Sequence, residues 1–277
     1  MPAPPKGAAT SVRPSFPVQL KASAGVPSAN RNMVPPQRVT NAAGPAHALK
    51  VAQKPVPSGI GLDSHAVRAR MVQKLAAQGV TDPQVLAAMG QVERHRFVDS
   101  ALVNQAYEDT SLPIGLGQTI SKPNVVARML ELLMRSNEGH RGKLGRVLEI
   151  GTGCGYQAAV LAQLAQEVYS IERLRGLHDK ARDNLRPFRL PNVHLMFGDG
   201  MTGYAKGAPY AAIISAAGGD AIPATWIDQL AMGGRLVAPL QSVSGTQALV
   251  VVDKTPQGVK QTLLEAVHFV PLKSGTS

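Results

Sequence analysis

The run Glu149-Ile150-Gly151-Thr152-Gly153-Cys154-Gly155-Tyr156 leaves an apolar stretch and opens a helical one. Glycines at such a junction let the backbone turn tightly and come close to a ligand that a Cβ would keep away. The spacing is Gly-x-Gly-x-Gly, not the Gly-x-Gly-x-x-Gly of dinucleotide binders. A pyrophosphate needs a helix N-terminus aimed at its charge. A sulfonium-linked amino acid carries no phosphate and needs mainly a close-fitting bend. Glu172 stands 21 residues beyond Gly151 and could accept both hydroxyls of a ribose, which suits the adenosine of NAD and of S-adenosylmethionine equally. It would also serve as a helix-start carboxylate. Asp199, between Gly198 and Gly200, could accept a hydrogen bond from an adenine amino group, although Asp-Gly is also a common turn pair. Three such elements at the ends of three successive expected strands favour an adenosine ligand.

The elements that must position these residues follow from periodicity. Val147–Ile150 reads as a buried strand, Gln157–Leu164 as a helix, Val168–Ile171 as a strand and Leu174–Leu185 as a helix. Strands are further expected at Val193–Phe197, Ala211–Ser215, Leu236–Ala238, Leu249–Val252 and Ala266–Val270, with a short helix at Thr225–Leu230. Alternating β and α units predict an α/β fold, a doubly wound and mostly parallel sheet that binds ligands at the carboxyl ends of its strands. N-terminal helices precede this sheet, and extra C-terminal strands extend it. Val67, Met71 and Leu75 repeat at helical spacing. Asp82-Pro83 reads as an N-cap with proline at the first helical position. A third helix follows Ser121-Lys122-Pro123, with Ser121 standing where an N-cap belongs.

The chain carries 277 residues, a formal charge of +11 and only 4% aromatics, so aliphatic side chains must fill its core. Residues 1–60 hold seven cations (Lys6, Arg13, Lys21, Arg31, Arg38, Lys50 and Lys54) and no acid, leaving +4 for the remainder. This stretch is rich in Pro, Ala and Ser without apolar periodicity. It reads as a disordered basic tail ahead of one catalytic domain over 61–277. A single cysteine, Cys154, excludes an internal disulfide or a multi-cysteine zinc site and fits a reducing compartment. Nothing approaches the roughly 18 apolar residues of a membrane span, and no secretory h-region opens the chain. His65, His95, His140, His178, His194 and His268 show no metal-ligand spacing. A cytoplasmic monomer is expected, with no metal, no membrane and no specific nucleic acid as partner.

Val147 to Gln157, VLEIGTGCGYQ, resembles the cofactor loop of the protein-L-isoaspartate O-methyltransferase family. So do Ala106-Tyr107-Glu108-Asp109, Leu112-Pro113-Ile114-Gly115-Leu116-Gly117-Gln118-Thr119-Ile120-Ser121, Gly198-Asp199-Gly200, Ala216-Ala217, Ile222-Pro223 and Phe269-Val270-Pro271-Leu272. The likeness covers about Val67 to Leu272, and its Gly-Gln-Thr-Ile-Ser segment is far more specific than the glycine loop. It implies methyl transfer from S-adenosylmethionine, leaving S-adenosyl-L-homocysteine, to the free α-carboxylate of L-isoaspartyl residues in damaged proteins. The methyl ester then collapses to a succinimide that opens partly to normal aspartate, so the activity is repair. The resemblance assigns catalysis to Ser121 and substrate contact to Thr119, Ile120 and Ser121. Cofactor contact falls to Thr119, Ile120, Glu149, Gly151, Thr152, Gly153, Gly155, Gln157, Glu172, Arg173, Asp199 and Gly200. Three positions depart from the family's habit: Ala211 for Asp, Lys122 for Gln and Cys154 for Ser.

The chemistry suits these residues. An α-carboxylate has a pKa of about 3.5 and is already ionised at neutral pH, so no strong general base is needed. In-line orientation can supply much of the acceleration, and a hydroxyl such as Ser121 can aim the carboxylate. Rival readings meet obstacles. A nicotinamide oxidoreductase lacks its glycine fingerprint. An amino-methylating nucleic-acid enzyme would want an Asn/Asp-Pro-Pro-aromatic motif where Ser215-Ala216-Ala217-Gly218-Gly219 stands. A non-catalytic module that kept the fold would bind the cofactor without transferring its methyl group.

Overall fold

A computed structural model describes residues 65–136, 139, 142–241 and 245–277. The expected basic tail lies outside the described residues. Helices α1 (His65–Ala77), α2 (Pro83–Gln91) and α3 (Pro123–Met134) come first, with a hairpin of β1 (Leu112–Gly115) and β2 (Gln118–Ile120) between the second and third. The order then alternates: β3 (Leu144–Ile150), α4 (Tyr156–Leu164), β4 (Ala165–Glu172), α5 (Arg175–Leu185), β5 (Val193–Phe197), β6 (Tyr210–Ser215) and α6 (Ala224–Gln229). Three long strands close the fold: β7 (Leu230–Gln241), β8 (Gln247–Thr255) and β9 (Gly258–Val267).

Seven strands form one sheet in the order β5-β4-β3-β6-β7-β8-β9. Neighbours from β5 to β7 run parallel, and β8 and β9 add on antiparallel. The chain winds outward from β3 through β4 to β5, then returns to place β6 on the other side of β3. That reversal is the switch point at which doubly wound sheets bind ligands. Both faces are covered, which explains why the central strands read as continuous apolar runs. Val147, Ala212, Ile214, Val237, Leu249 and Val251 enter the core shared with α1–α4. The intervening Leu148, Ile213, Leu236, Ala238, Val250 and Val252 enter a second core around Trp226.

Asp82 caps α2 as expected, its Oδ1 accepting from the Gln84 and Val85 N–H groups at 2.9 and 3.0 Å. Three expectations are corrected. The last strand spans Gly258–Val267, not Ala266–Val270. It is an edge strand exposed along most of its length, so Lys260-Gln261-Thr262 shows no apolar alternation to read. Strand β7 reaches well beyond Leu236–Ala238, because Gly233-Gly234 lie inside it and hide its start. Ser121 is not the cap of α3: Lys122 occupies that position and makes no side-chain cap bond. Asp109, 15 residues upstream, accepts from the Asn124 N–H at 3.0 Å and caps the helix from outside.

Candidate active site

The glycine loop joins β3 to α4 at the carboxyl edge of the sheet. The Gly151 and Thr152 N–H groups donate to the Ile171 carbonyl at 2.9 and 3.2 Å, and the Ala216 N–H donates to the Ile150 carbonyl at 2.8 Å. These bonds tie the loop to both neighbouring strands. Gly155 has φ +92° and would bring a Cβ to 3.0 Å from Leu185, so conformation and space both require glycine there. At Gly200 a Cβ would lie 2.6 Å from Ile150 Cγ2.

A cavity of about 480 Å³ opens above the loop, within the range of small-ligand sites. Gly151, Gly153, Glu172, Arg173 and Gly200 line it from the sheet, and Leu116, Gly117 and Thr119 line it from the hairpin. A smaller pocket adjoins it, bounded by Thr119, Ile120, Ser121, Thr152, Cys154 and Gln157. Ile114, Thr119, Gly151, Gly153 and Ala216 border both. Nine of the twelve residues assigned to the cofactor, together with Ser121, therefore converge on these two connected spaces.

Glu149, Asp199 and Gly155 line neither. Glu149 is fully buried beneath the loop, where burial pushes its carboxyl up to about 8. The Ser170 hydroxyl donates to Glu149 Oε2, and Thr152 Oγ1 lies 2.6 Å from that same hydroxyl. Ser170 and, from farther off, the Gln157 amide oppose the shift. Glu149 Oε1 and Gln157 Nε2 are nevertheless buried without a hydrogen-bond partner among the described residues. Asp199 lies at the rim, its Oδ1 taken by the Met201 N–H at 2.8 Å and its Oδ2 by the Gly275 N–H at 2.6 Å. Arg173 Nε donates to the Gly275 carbonyl at 2.9 Å, so residues near the C-terminus run past the outer end of the cavity. Glu172 accepts from the Gly153 and Leu174 N–H groups, each at 2.9 Å. Each of its oxygens keeps a lone pair for a further donor.

The hairpin facing the loop turns through Gly115-Leu116-Gly117, with Leu116 at φ +51° and 62% exposed. The half-buried Ser121 follows β2, and its hydroxyl makes no hydrogen bond among the described residues. Side chains from elsewhere hold this segment. Lys180 on α5 donates to the Ile114 carbonyl at 2.9 Å and to Asp99 at 3.0 Å. Arg94, fully buried, donates from Nε to the Ala106 carbonyl and from Nη2 to the Ser121 carbonyl, both at 2.8 Å. Sequence reasoning missed Arg94 and Lys180. Arg94 lies in the charged run Glu93-Arg94-His95-Arg96, and no spacing signals that it turns inward.

Of the three departures, Cys154 is buried and its thiol is pushed up to about 11, so it stays protonated as a packed small residue. Ala211 faces Gly145 at the start of the sheet, away from both cavities. Lys122 is exposed and makes no ion pair among the described residues.

Residues 66–277 match the family model described as Protein-L-isoaspartate(D-aspartate) O-methyltransferase (PCMT). A protein-L-isoaspartate O-methyltransferase of Methylibium petroleiphilum is 57% identical over 95% of this chain and 97% of its own. The chain belongs to the protein-L-isoaspartate O-methyltransferase family. A relative of the same name from Leptothrix cholodnii is 60% identical over 82% of this chain and 81% of its own. A solved protein-L-isoaspartate O-methyltransferase superposes with a TM-score of 0.67 at 28% identity, covering 75% of this chain and 66% of that one. A Plasmodium falciparum structure, described as a complex with S-adenosyl-L-homocysteine, superposes at 0.65 and 24% identity over 74% of this chain and 98% of that one, and shows the shared fold.

The family's enzymes methylate isoaspartyl residues with S-adenosylmethionine as donor, the first step in repair, and this is the activity of the chain. The site fits that donor on its own terms. Gly200 stands where a side chain would collide, Glu172 has acceptor capacity to spare, and Gln157 Nε2 is buried without a hydrogen-bond partner among the described residues.

Proposed function

We propose that the Thr119–Ser121 segment holds the isoaspartyl α-carboxylate and that the cavity over the Gly151–Gly155 loop holds the donor. The observation that carries this reading is the Ser121 hydroxyl, without a hydrogen-bond partner among the described residues, which borders the same small pocket as Thr152, Cys154 and Gln157. Bound S-adenosylmethionine supplies a sulfonium-activated methyl group. The chain's own residues arrange the meeting. Ser121 Oγ donates to one carboxylate oxygen and leaves the other free to attack. Ile120, buried, and Ile114 exclude water from the approach. Glu172 accepts from the ribose, and Gln157 donates inward. Glu149 supports the loop from beneath, kept mostly protonated at neutral pH by its burial, and Asp199 with Arg173 closes the adenine end.

In this reading residues 61–277 form the catalytic domain and 1–60 a basic tail. The enzyme acts as a cytoplasmic monomer on isoaspartyl-containing proteins, without specific nucleic-acid or membrane partners. No described helix is long and apolar enough to cross a membrane, and the lone thiol is buried.

One assay tests the site. Labelled methyl transfer is compared for a single peptide in isoaspartyl and normal aspartyl forms, with wild-type enzyme and Ser121→Ala. Labelling confined to the isoaspartyl form and a loss of about 100-fold in the variant are expected, worth roughly 3 kcal/mol of transition-state stabilisation. Stability should barely change, since Ser121 caps nothing. Near-wild-type turnover in the folded variant would remove Ser121 from the site.

A further inference from the structure

We infer that Arg94 is a positioning residue for methyl transfer: it clamps the acceptor segment to the cofactor-loop helix and sets an uncompensated positive charge behind the substrate carboxylate. The inference rests on the reading of Ser121 given above. An arginine stays charged in proteins, and a buried charge is costly unless paired. Arg94 is fully buried, yet no carboxylate lies within ion-pair distance of it among the described residues. Asp109 is the carboxylate that influences it, and that side chain is engaged by the Asn124 N–H.

Among the described residues its partners are two carbonyls and a ring. Nε and Nη2 reach Ala106 and Ser121, which belong to separate segments of the chain. The guanidinium carbon sits 4.8 Å from the ring centroid of Tyr156, the residue that opens α4 directly after Gly155. Nη1 is buried with no acceptor among the described residues. Ser121 and Tyr156 both border the small pocket, so one cation grips two of its walls. Only a planar fork can address two carbonyls and a ring face at once. A strut needed for folding alone would be satisfied by a neutral donor, or by an arginine with its own carboxylate. The missing negative charge is the one an isoaspartyl substrate brings.

The test uses the full chain and three variants: Arg94→Lys, Arg94→Met and Ser121→Ala. Calorimetry gives the affinity for S-adenosyl-L-homocysteine, and steady-state kinetics on an isoaspartyl peptide give kcat and KM. Arg94→Lys keeps the charge and loses the fork, so kcat should fall about tenfold with KM within about threefold of wild type. Arg94→Met loses both, so kcat should fall at least about 100-fold and KM rise about tenfold. In both, homocysteine-product affinity should stay within about threefold, a pattern that general destabilisation would not give. If Arg94→Met does not fold, Arg94→Lys decides alone. Wild-type kinetics in Arg94→Lys, or loss of its cofactor-product binding, would overturn the inference. Unchanged Arg94 variants beside an impaired Ser121→Ala overturn it alone. An unimpaired Ser121→Ala instead overturns the site reading beneath it.

Discussion

The donor side and the acceptor side of this site are built in opposite ways. The donor side is backbone. The glycine loop, the end of β4 and the turn after β5 sit on consecutive parallel strands, and their shape follows from glycines and strand register. The acceptor side is a short hairpin and the residue after it, held in place by Arg94 and Lys180 from elsewhere in the chain, with Asp109 capping the helix that follows. The donor surface comes with the fold, whereas the acceptor surface is fastened by side chains and is correspondingly easier to disturb without unfolding the sheet.

If that contrast holds, Gly200→Val should have the largest effect of these substitutions. Its Cβ would collide with Ile150 at the cavity floor, and affinity for S-adenosylmethionine should fall about 100-fold, near 3 kcal/mol. Isothermal calorimetry on the folded variant checks this, and unchanged affinity would show that the donor side tolerates more than a backbone-built pocket should.

A pH experiment probes the donor side from beneath. Glu149 has its folded value raised to about 8 from 4.5, so between those values the native state holds a proton that the unfolded chain gives up. Stability therefore falls as pH rises through this window, by at most about 1.4 kcal/mol per pH unit, and levels off above it. Denaturant unfolding from pH 5 to 9 should show the slope in wild type and lose its Glu149 share in Glu149→Gln. An identical slope in the two proteins would mean that Glu149 is not the buried proton store.

This asymmetry also explains what could be read from the sequence. Strands β3 to β6, the loop glycines, Glu172 and Asp199 were legible because buried parallel strands are apolar runs and the turns between them need glycine or a capping carboxylate. The hairpin at Leu112–Ile120 was visible as a family segment but not as a hairpin, since its strands are too short for alternation to register. Arg94 and Lys180 were invisible, because an inward-turned cation in a polar stretch has no sequence pattern. Ser121 reads as a helix cap because Ser-Lys-Pro has the right composition for one, whereas the side chain that caps α3 is Asp109, from a distant turn.

Asp109→Ala sharpens the acceptor half. Loss of the external cap on α3 should cost about 1 kcal/mol of stability and lower kcat/KM for an isoaspartyl peptide several-fold, while S-adenosyl-L-homocysteine affinity is preserved. Thermal unfolding and kinetics together check it, and an equal loss on both sides of the site would erase the distinction. The smallest effect is expected from Cys154→Ser. A packed thiol with its ionisation pushed up to about 11 should react slowly with thiol reagents in the native state, and its replacement should have little effect on turnover.

The most direct measurement is a crystal structure of the full chain with S-adenosyl-L-homocysteine and an isoaspartyl peptide. The account predicts the peptide α-carboxylate against Ser121, with Oγ donating at about 2.5–3.0 Å, and the homocysteine sulfur facing the same carboxylate across the small pocket. A carboxylate lodged away from Thr119–Ser121, with Ser121 Oγ left unbonded, would contradict it.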